Sequence, residues 1–201
     1  MATTLPTGQE KPKGYEAVYA ADAKSNVTIS SDCVLASQLS QSELAEIAEL
    51  RTRALKAASD RLGVGYEDFT FEREVNLWPE GKTLSDKMIF RYYREGALRG
   101  YALVVIGWPA AGEWAIQHLI IDPDMTRQGI GSAIVEKIER FARDSTAVAT
   151  SMVAVPIEPG DGGSFWNSLG YSDESSRRTV RLRDKNYDVI LYRKKLDDQA
   201  E

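Results

Sequence analysis

The stretch over residues 116–141 restricts what this chain can fold into more than any other. It opens on the apolar run Leu119, Ile120, Ile121, closed by Asp122-Pro123, which reads as a buried strand ending in a turn. It closes on Ile130, Ile134, Ile138 and Phe141, spaced four, four and three residues apart as on one face of an amphipathic helix. Gly129 and Gly131 stand between the two. Glycine at a strand-to-helix junction leaves backbone N–H groups open to the gap, because no Cβ covers them. These are the orphan donors of the first helical turn, and the helix dipole favours an anion there. The junction therefore reads either as a diphosphate cradle or as a tight turn whose glycines serve packing alone. It is not a Walker loop, since no Gly-Lys-Ser/Thr follows, and the third glycine of the dinucleotide fingerprint is missing.

The rest of the chain supplies the context. Residues 1–26 are rich in Thr, Gly, Pro, Lys and Ala and predict a mobile arm, either a plain tail or one packing over the partner in a homodimer. Val-Thr-Ile and Cys-Val-Leu in residues 27–39 predict a first strand and a loop. Ser40-x-x-Glu43 is a capping box, and Leu44, Ile47, Ala48, Arg51 and Leu55 continue the helix it opens, with Gly63 as the stop. Residues 66–84 mix Tyr66, Phe69, Phe71 and Trp78 with Glu67, Asp68, Glu72 and Glu74. That mixture suits a core-covering segment or a cage for an organic cation. Residues 88–93 and 98–108 form a predicted hairpin about residues 94–97, a turn over 109–112 follows, and residues 113–121 make the next strand. Beyond the helix come a strand over 147–155, a Pro/Gly break over 156–163, a short helix over 164–169 closed by Gly170, and two strands over 177–182 and 187–194. Residues 197–201 form a charged tail, and no internal repeat is visible, so 27–196 reads as one domain.

Composition narrows the function. The net charge of −5 argues against non-specific nucleic-acid binding, which needs basic patches, and is compatible with a cationic acceptor. Cys33 is the single cysteine and His118 the single histidine, so neither an internal disulfide nor a zinc cluster is expected, and no metal site is predicted. No run reaches the ~18 apolar residues of a membrane helix, and the start of the chain lacks a signal peptide's apolar core. A cytoplasmic location without membrane partners is the expectation.

Leu119-x-Ile121-x-Pro123, followed by Gln128-Gly129-Ile130-Gly131-Ser132 opening a helix, resembles the acetyl-CoA motif of the GNAT superfamily of N-acetyltransferases, Gln/Arg-x-x-Gly-x-Gly/Ala. Thr126 stands at the motif's first position, a departure that keeps the backbone N–H but not a long polar side chain. Ser164-Phe165-Trp166-Asn167-Ser168-Leu169-Gly170-Tyr171 resembles the family's Phe-Tyr-x-x-Leu-Gly-Phe segment, with Trp166 in place of Tyr. The resemblance covers roughly residues 86–195. It implies an α/β (α+β) fold, a mixed, mostly antiparallel, twisted sheet flanked by helices. It implies acetyl-CoA, or another acyl-CoA, as cosubstrate and direct acetyl transfer to a small-molecule amine. A protein or peptide N-acetyltransferase and a non-catalytic acyl-CoA-binding domain are the alternatives.

On this resemblance, Arg127, Gln128, Gly129, Ile130, Gly131 and Ser132 would offer backbone N–H groups to the pyrophosphate. Leu119, Ile120 and Ile121 would lie beside the pantetheine arm, which adds to the strand like another strand. A backbone N–H near Leu119 or Ile120 would polarise the thioester oxygen, and Phe165 and Trp166 would border the cofactor. Proton transfer is less determined. Trp166 cannot protonate a thiolate, which leaves Tyr171 as a candidate acid or as an aromatic core residue. For the base, His118 changes charge near neutral pH but alternates to the face opposite Leu119 and Ile121. Glu113, at the start of the same strand, and Glu158, in the loop after the next, are carboxylate alternatives; each is equally readable as a solvated charge.

Overall fold

The computed structural model describes residues 18–21, 28–62, 71–145, 151–154, 162–182 and 185–196. Within them lie strands β1 (Val18–Ala21), β2 (Thr28–Leu35), β3 (Lys87–Arg94), β4 (Ala97–Ile106), β5 (Glu113–Ile121), β6 (Ser151–Ala154), β7 (Ser172–Leu182) and β8 (Lys185–Lys195). The helices are α1 (Gln41–Leu62), α2 (Phe71–Val75), α3 (Ile130–Asp144) and α4 (Gly162–Ser168). The strands form a single mixed sheet in the order β1-β2-β3-β4-β5-β6-β8-β7, antiparallel throughout except where β5 meets β6. This is the mostly antiparallel, helix-flanked sheet that the resemblance implied.

Period-two alternation decides which helix covers which face. Met88, Phe90, Ala102, Val104, Trp114 and Ile116 point to one side, where Ile130, Ile134, Val135, Ile138 and Ala142 of α3 and Trp166 of α4 meet them. Ile89, Leu98, Tyr101 and Leu103 point to the other, against Ile47 and Leu50 of α1 and Phe71 and Val75 of α2. Phe71 stacks edge-on against Tyr101 at 5.7 Å, so this member of the aromatic–acidic segment is core. Tyr66, Glu67, Asp68 and Phe69 lie outside the described residues.

Local chemistry fixes the element ends. The Ser40 capping box forms as its spacing predicts: the Ser40 N–H donates to Glu43 Oε2 at 2.8 Å, and the Glu43 N–H to Ser40 Oγ at 3.3 Å. Glu43 also accepts from Arg91, whose guanidinium grips Asp32 with two bonds of 2.8 and 2.7 Å, so β2, β3 and the start of α1 share one cation. The β3–β4 hairpin turns on Glu95 and Gly96 at φ 54° and 75°, two positive values that suit a tight hairpin turn.

Some elements differ from the sequence reading. Val18–Ala21, placed by composition in a mobile arm, pairs antiparallel with β2. Backbone pairing needs no large apolar side chain, so composition gave little sign of it. β7 starts at Ser172 and β8 at Lys185, earlier than the alternation suggested, because pairing with each other carries both strands on. Gly63, most of the 156–163 break and the 197–201 tail lie outside the described residues. Among the described residues no helix is long and apolar enough to cross a membrane.

Candidate active site

The site grows from the outer half of β5. Along β4, β5 is paired from Trp114 to Ile121, but the register slips between Leu103↔His118 and Val104↔Ile116. Gln117 is the extra residue of a β-bulge, a feature that bends a strand and re-aims its side chains. On the other edge β6 pairs parallel with residues 113–116, and Ile116↔Ala154 is the last pair because Ala154 is the last described residue of β6. Beyond Ile116, residues 117–121 have no strand partner on that edge among the described residues. β8 pairs with the described residues of β6 as far as Tyr192↔Ala154.

Asp122 holds the strand's exit. Its side chain is 0% exposed, yet two arginines roof it: Arg99 Nη1 donates at 2.9 Å and Arg53 Nη2 at 3.3 Å. The same carboxylate caps the single 3₁₀ turn Pro123–Met125 by accepting the Asp124 N–H at 3.2 Å. Burial pushes the Asp122 carboxyl up, but the Arg99 bond, the Asp124 N–H and the charges of Arg53 and Arg99 outweigh it, and the net shift is downward. The carboxylate is therefore covered by a thin charged layer rather than sunk in apolar core, which reconciles zero exposure with a lowered pKa.

Past that turn the chain reaches the glycines. Thr126 donates its hydroxyl back to Pro123 C=O at 3.2 Å, so its side chain serves the turn. Arg127 and Gly129 take positive φ, 62° and 79°. Gly129 is the N-cap of α3, and a Cβ there would meet nothing within 4 Å. The first bond closing the helix runs from the Ala133 N–H to Gly129 C=O at 3.0 Å, which leaves the N–H groups of Ile130, Gly131 and Ser132 without an intrahelical acceptor. Residues 126–129 are all exposed. Two cations stand by: Arg127 in the loop, and Arg94, whose Nη1 donates to Gln128 Oε1 at 3.0 Å. Gly131 plays a different part, since a Cβ on it would lie 3.3 Å from Phe165 Cζ and 3.8 Å from Leu119 Cδ2. The Phe165 ring, the first turn of α3 and Leu119 thus meet at one point. Close approach is also why β4 carries Gly100: a Cβ there would lie 2.9 Å from Ile134 Cδ1.

The structure brings together Leu119, Ile121, the 127–132 backbone and Phe165, and separates the other candidates from them. Leu119 and Ile121 pack on the α3 side and Ile120 on the α1 side, so backbone alternation puts His118 on the α1 face, one residue past the bulge. Glu113, the first residue of β5, is held by Arg193 through bonds of 2.7 and 3.3 Å. It sits at the closed end of the ladder, opposite Ser151. Glu158 lies outside the described residues. Trp166 is 6% exposed and stacked between Phe165 (5.0 Å) and Tyr171 (5.1 Å), a core position. Tyr171 is 2% exposed with Lys194 Nζ 5.6 Å over its ring. Burial, and secondarily the Glu139 carboxylate beside it, pushes the Tyr171 phenol far above its ordinary value. Although Glu139 is near enough to act on that phenol, the hydroxyl makes no hydrogen bond of normal geometry. Cys33 is buried in the α3-side core, and burial raises its thiol, so it is a poor nucleophile. Among the described residues no cluster of His, Cys, Asp or Glu could hold a metal.

Sequence reasoning missed Gln117, Asp122 and Arg94. The signal for Gln117 was present: Ile116 and Leu119 are both apolar but three apart, with two polar residues between, which a regular strand cannot place on one face without an extra residue.

The acetyltransferase (GNAT) family model matches residues 47–158, more than half of the chain. The chain belongs to that family. It is a GNAT acyltransferase, and the match spans α1, the β3–β5 meander, the glycine loop and α3. Solved structures agree on the fold. The ribosomal-protein-S18-alanine N-acetyltransferase from Escherichia coli is 17% identical, with 87% of this chain and 97% of that one covered and a TM-score of 0.58. The PaiA N-acetyltransferase from Thermoplasma acidophilum in complex with coenzyme A is 16% identical, covering 82% and 98%, at 0.58. An acyl-CoA N-acyltransferase from Pseudomonas aeruginosa is 16% identical, covering 82% and 98%, at 0.59. A comparison with curated protein sequences finds no match.

Proposed function

We propose that this GNAT domain transfers an acetyl group from acetyl-CoA directly to the amine of a small molecule. The observation that carries the proposal is the open N-terminus of α3 lying beside residues 117–121, which have no strand partner on their β6 side among the described residues. The first offers unpaired N–H groups to a diphosphate, with Gly129 leaving the approach clear and Arg94 and Arg127 adding positive charge. The second offers peptide N–H and C=O groups to an extended amide-bearing arm. The structural neighbour from Thermoplasma acidophilum that holds coenzyme A supports the choice of cosubstrate.

Bound acetyl-CoA supplies the activated thioester; the chain's residues hold it and move the proton. Arg127, Gln128, Gly129, Ile130, Gly131 and Ser132 receive the diphosphate, and Phe165 closes over the first turn of α3. Leu119, Ile120 and Ile121 align the arm, and a backbone N–H at the bulged end of β5 meets the thioester oxygen. We take His118, on β5 one residue past the bulge and facing the α1 side, as the base, with Glu158 as the alternative, while Glu113 is committed to Arg193. Trp166 and Tyr171 then support the site as packing.

Isothermal titration with CoA, and thiol release with acetyl-CoA and a panel of small amines, test this reading. Binding that is lost in G129E and G131E, with amine-dependent thiol release, is the expected result. Unchanged CoA binding in both variants would refute the cradle, and thiol release with no amine on the panel would refute the acceptor class. The Escherichia coli neighbour named for a ribosomal-protein alanine acceptor makes an N-terminal peptide the second acceptor to include. Longer acyl-CoA donors in the same assay fix the acyl chain, and sizing of the protein in solution tests the homodimer.

A further inference from the structure

One polar atom of the bulge residue has no partner in the protein. Gln117 Oε1 is shielded from solvent and makes no hydrogen bond. A buried amide oxygen left without a donor keeps the cost of its lost hydration, so its position is unfavourable for the protein alone. Its place in the fold is specific. Gln117 is the inserted residue of the β4–β5 register slip and follows Ile116, the last β5 residue with a described β6 partner. From Ile121 back to Gln117 the strand spans roughly 13 Å, at about 3.3 Å per residue. An arm anchored at the α3 N-terminus and laid along that edge therefore brings its far end to Gln117.

We propose that the Gln117 carboxamide is a positioning residue for the pantetheine arm of the cosubstrate, accepting the amide N–H nearest the sulfur. This rests on the CoA reading above. The chemistry is complementary: a primary carboxamide offers one acceptor and two donors, and a secondary amide offers one of each. Filling the unpaired oxygen gives the arm a fixed register at its reacting end. The other peptide contacts of a strand-like arm do not specify that register, because a backbone edge repeats.

Two variants, Q117M and Q117E, separate this role from a structural one when titrated with CoA and with 3′-phosphoadenosine diphosphate, which lacks the arm. Q117M keeps the chain's length but removes the acceptor, and is expected to weaken CoA on the order of tenfold while leaving the nucleotide fragment unchanged. Its melting temperature should not fall, since no protein hydrogen bond is lost. Q117E keeps an acceptor oxygen and should hold CoA more tightly than Q117M. Equal CoA affinity in Q117M and the unaltered protein overturns the inference while leaving the CoA reading intact. Equal loss of both ligands also overturns it, because Gln117 would then shape the strand rather than meet the arm. Failure of the unaltered protein to bind either ligand would instead sink the CoA reading itself.

Discussion

Replacing Asp122 by alanine tests whether the exit of β5 is what holds the cradle in place. The carboxylate makes three kinds of contact: Arg99 at 2.9 Å, Arg53 at 3.3 Å and the Asp124 N–H at 3.2 Å. A charge-assisted bond of the first kind contributes about 1.5–3 kcal/mol when buried, but Arg99 is 30% exposed, so the lower end applies. Arg53, longer and 45% exposed, adds at most about 0.5 kcal/mol. The cap on the 3₁₀ turn adds about 1 kcal/mol. D122A should therefore cost about 3 kcal/mol. At roughly 2–4 °C per kcal/mol for a domain of this size, the melting temperature falls on the order of 9 °C. D122N keeps an oxygen for the Asp124 N–H and for one arginine and should cost about half as much. Urea unfolding with unchanged slope supplies the free energies, and CoA titration of D122A should show weakened binding, since residues 122–129 lose their tether. A cost below about 1 kcal/mol in D122A, or equal costs in the two variants, would refute the reasoning.

Glu43 is held down to about 2, chiefly by the Ser40 hydroxyl and Ser40 N–H, then by Arg91. A carboxyl whose folded pKa is depressed contributes stability that is present above its unfolded value, near 4.3, and is lost as pH falls toward 2. Unfolding free energies measured between those values should fall less steeply in E43Q than in the unaltered protein. G129A should cost about 1 kcal/mol from its left-handed φ alone, because no atom stands within 4 Å of the added Cβ, and G129N should cost less; calorimetry reads both. H118A should lower kcat by about 10²-fold or more while CoA affinity stays within error, and a loss of affinity instead would place His118 on the cosubstrate.

What was legible in the chain was what neighbours in sequence decide. Ser40 and Glu43 are three residues apart and their capping box formed; Glu95-Gly96 carries its own turn geometry; the isoleucines of α3 face the core their spacing implies. The 129–132 junction was legible for the same reason, since the glycines and the helix they open are contiguous. Long-range pairings were not legible. Arg91 joins Asp32 and Glu43, and Asp122 joins Arg53 and Arg99, across separations that no local pattern encodes. Glu113 read as a free carboxylate because Arg193, its partner, stands 80 residues away. Tyr171 read as a candidate acid because its burial against Trp166 and its nearness to Glu139 appear only in three dimensions. The bulge at Gln117 shows only in the register of β5 against β4, which is a property of two strands rather than of either alone.

The most direct test is a crystal structure of the protein with coenzyme A. The account predicts the diphosphate within hydrogen-bond distance of the N–H groups between Arg127 and Ser132, with the pantetheine arm running along residues 117–121 toward Gln117. A diphosphate bound elsewhere, or an arm leaving that edge of β5 uncovered, would contradict it.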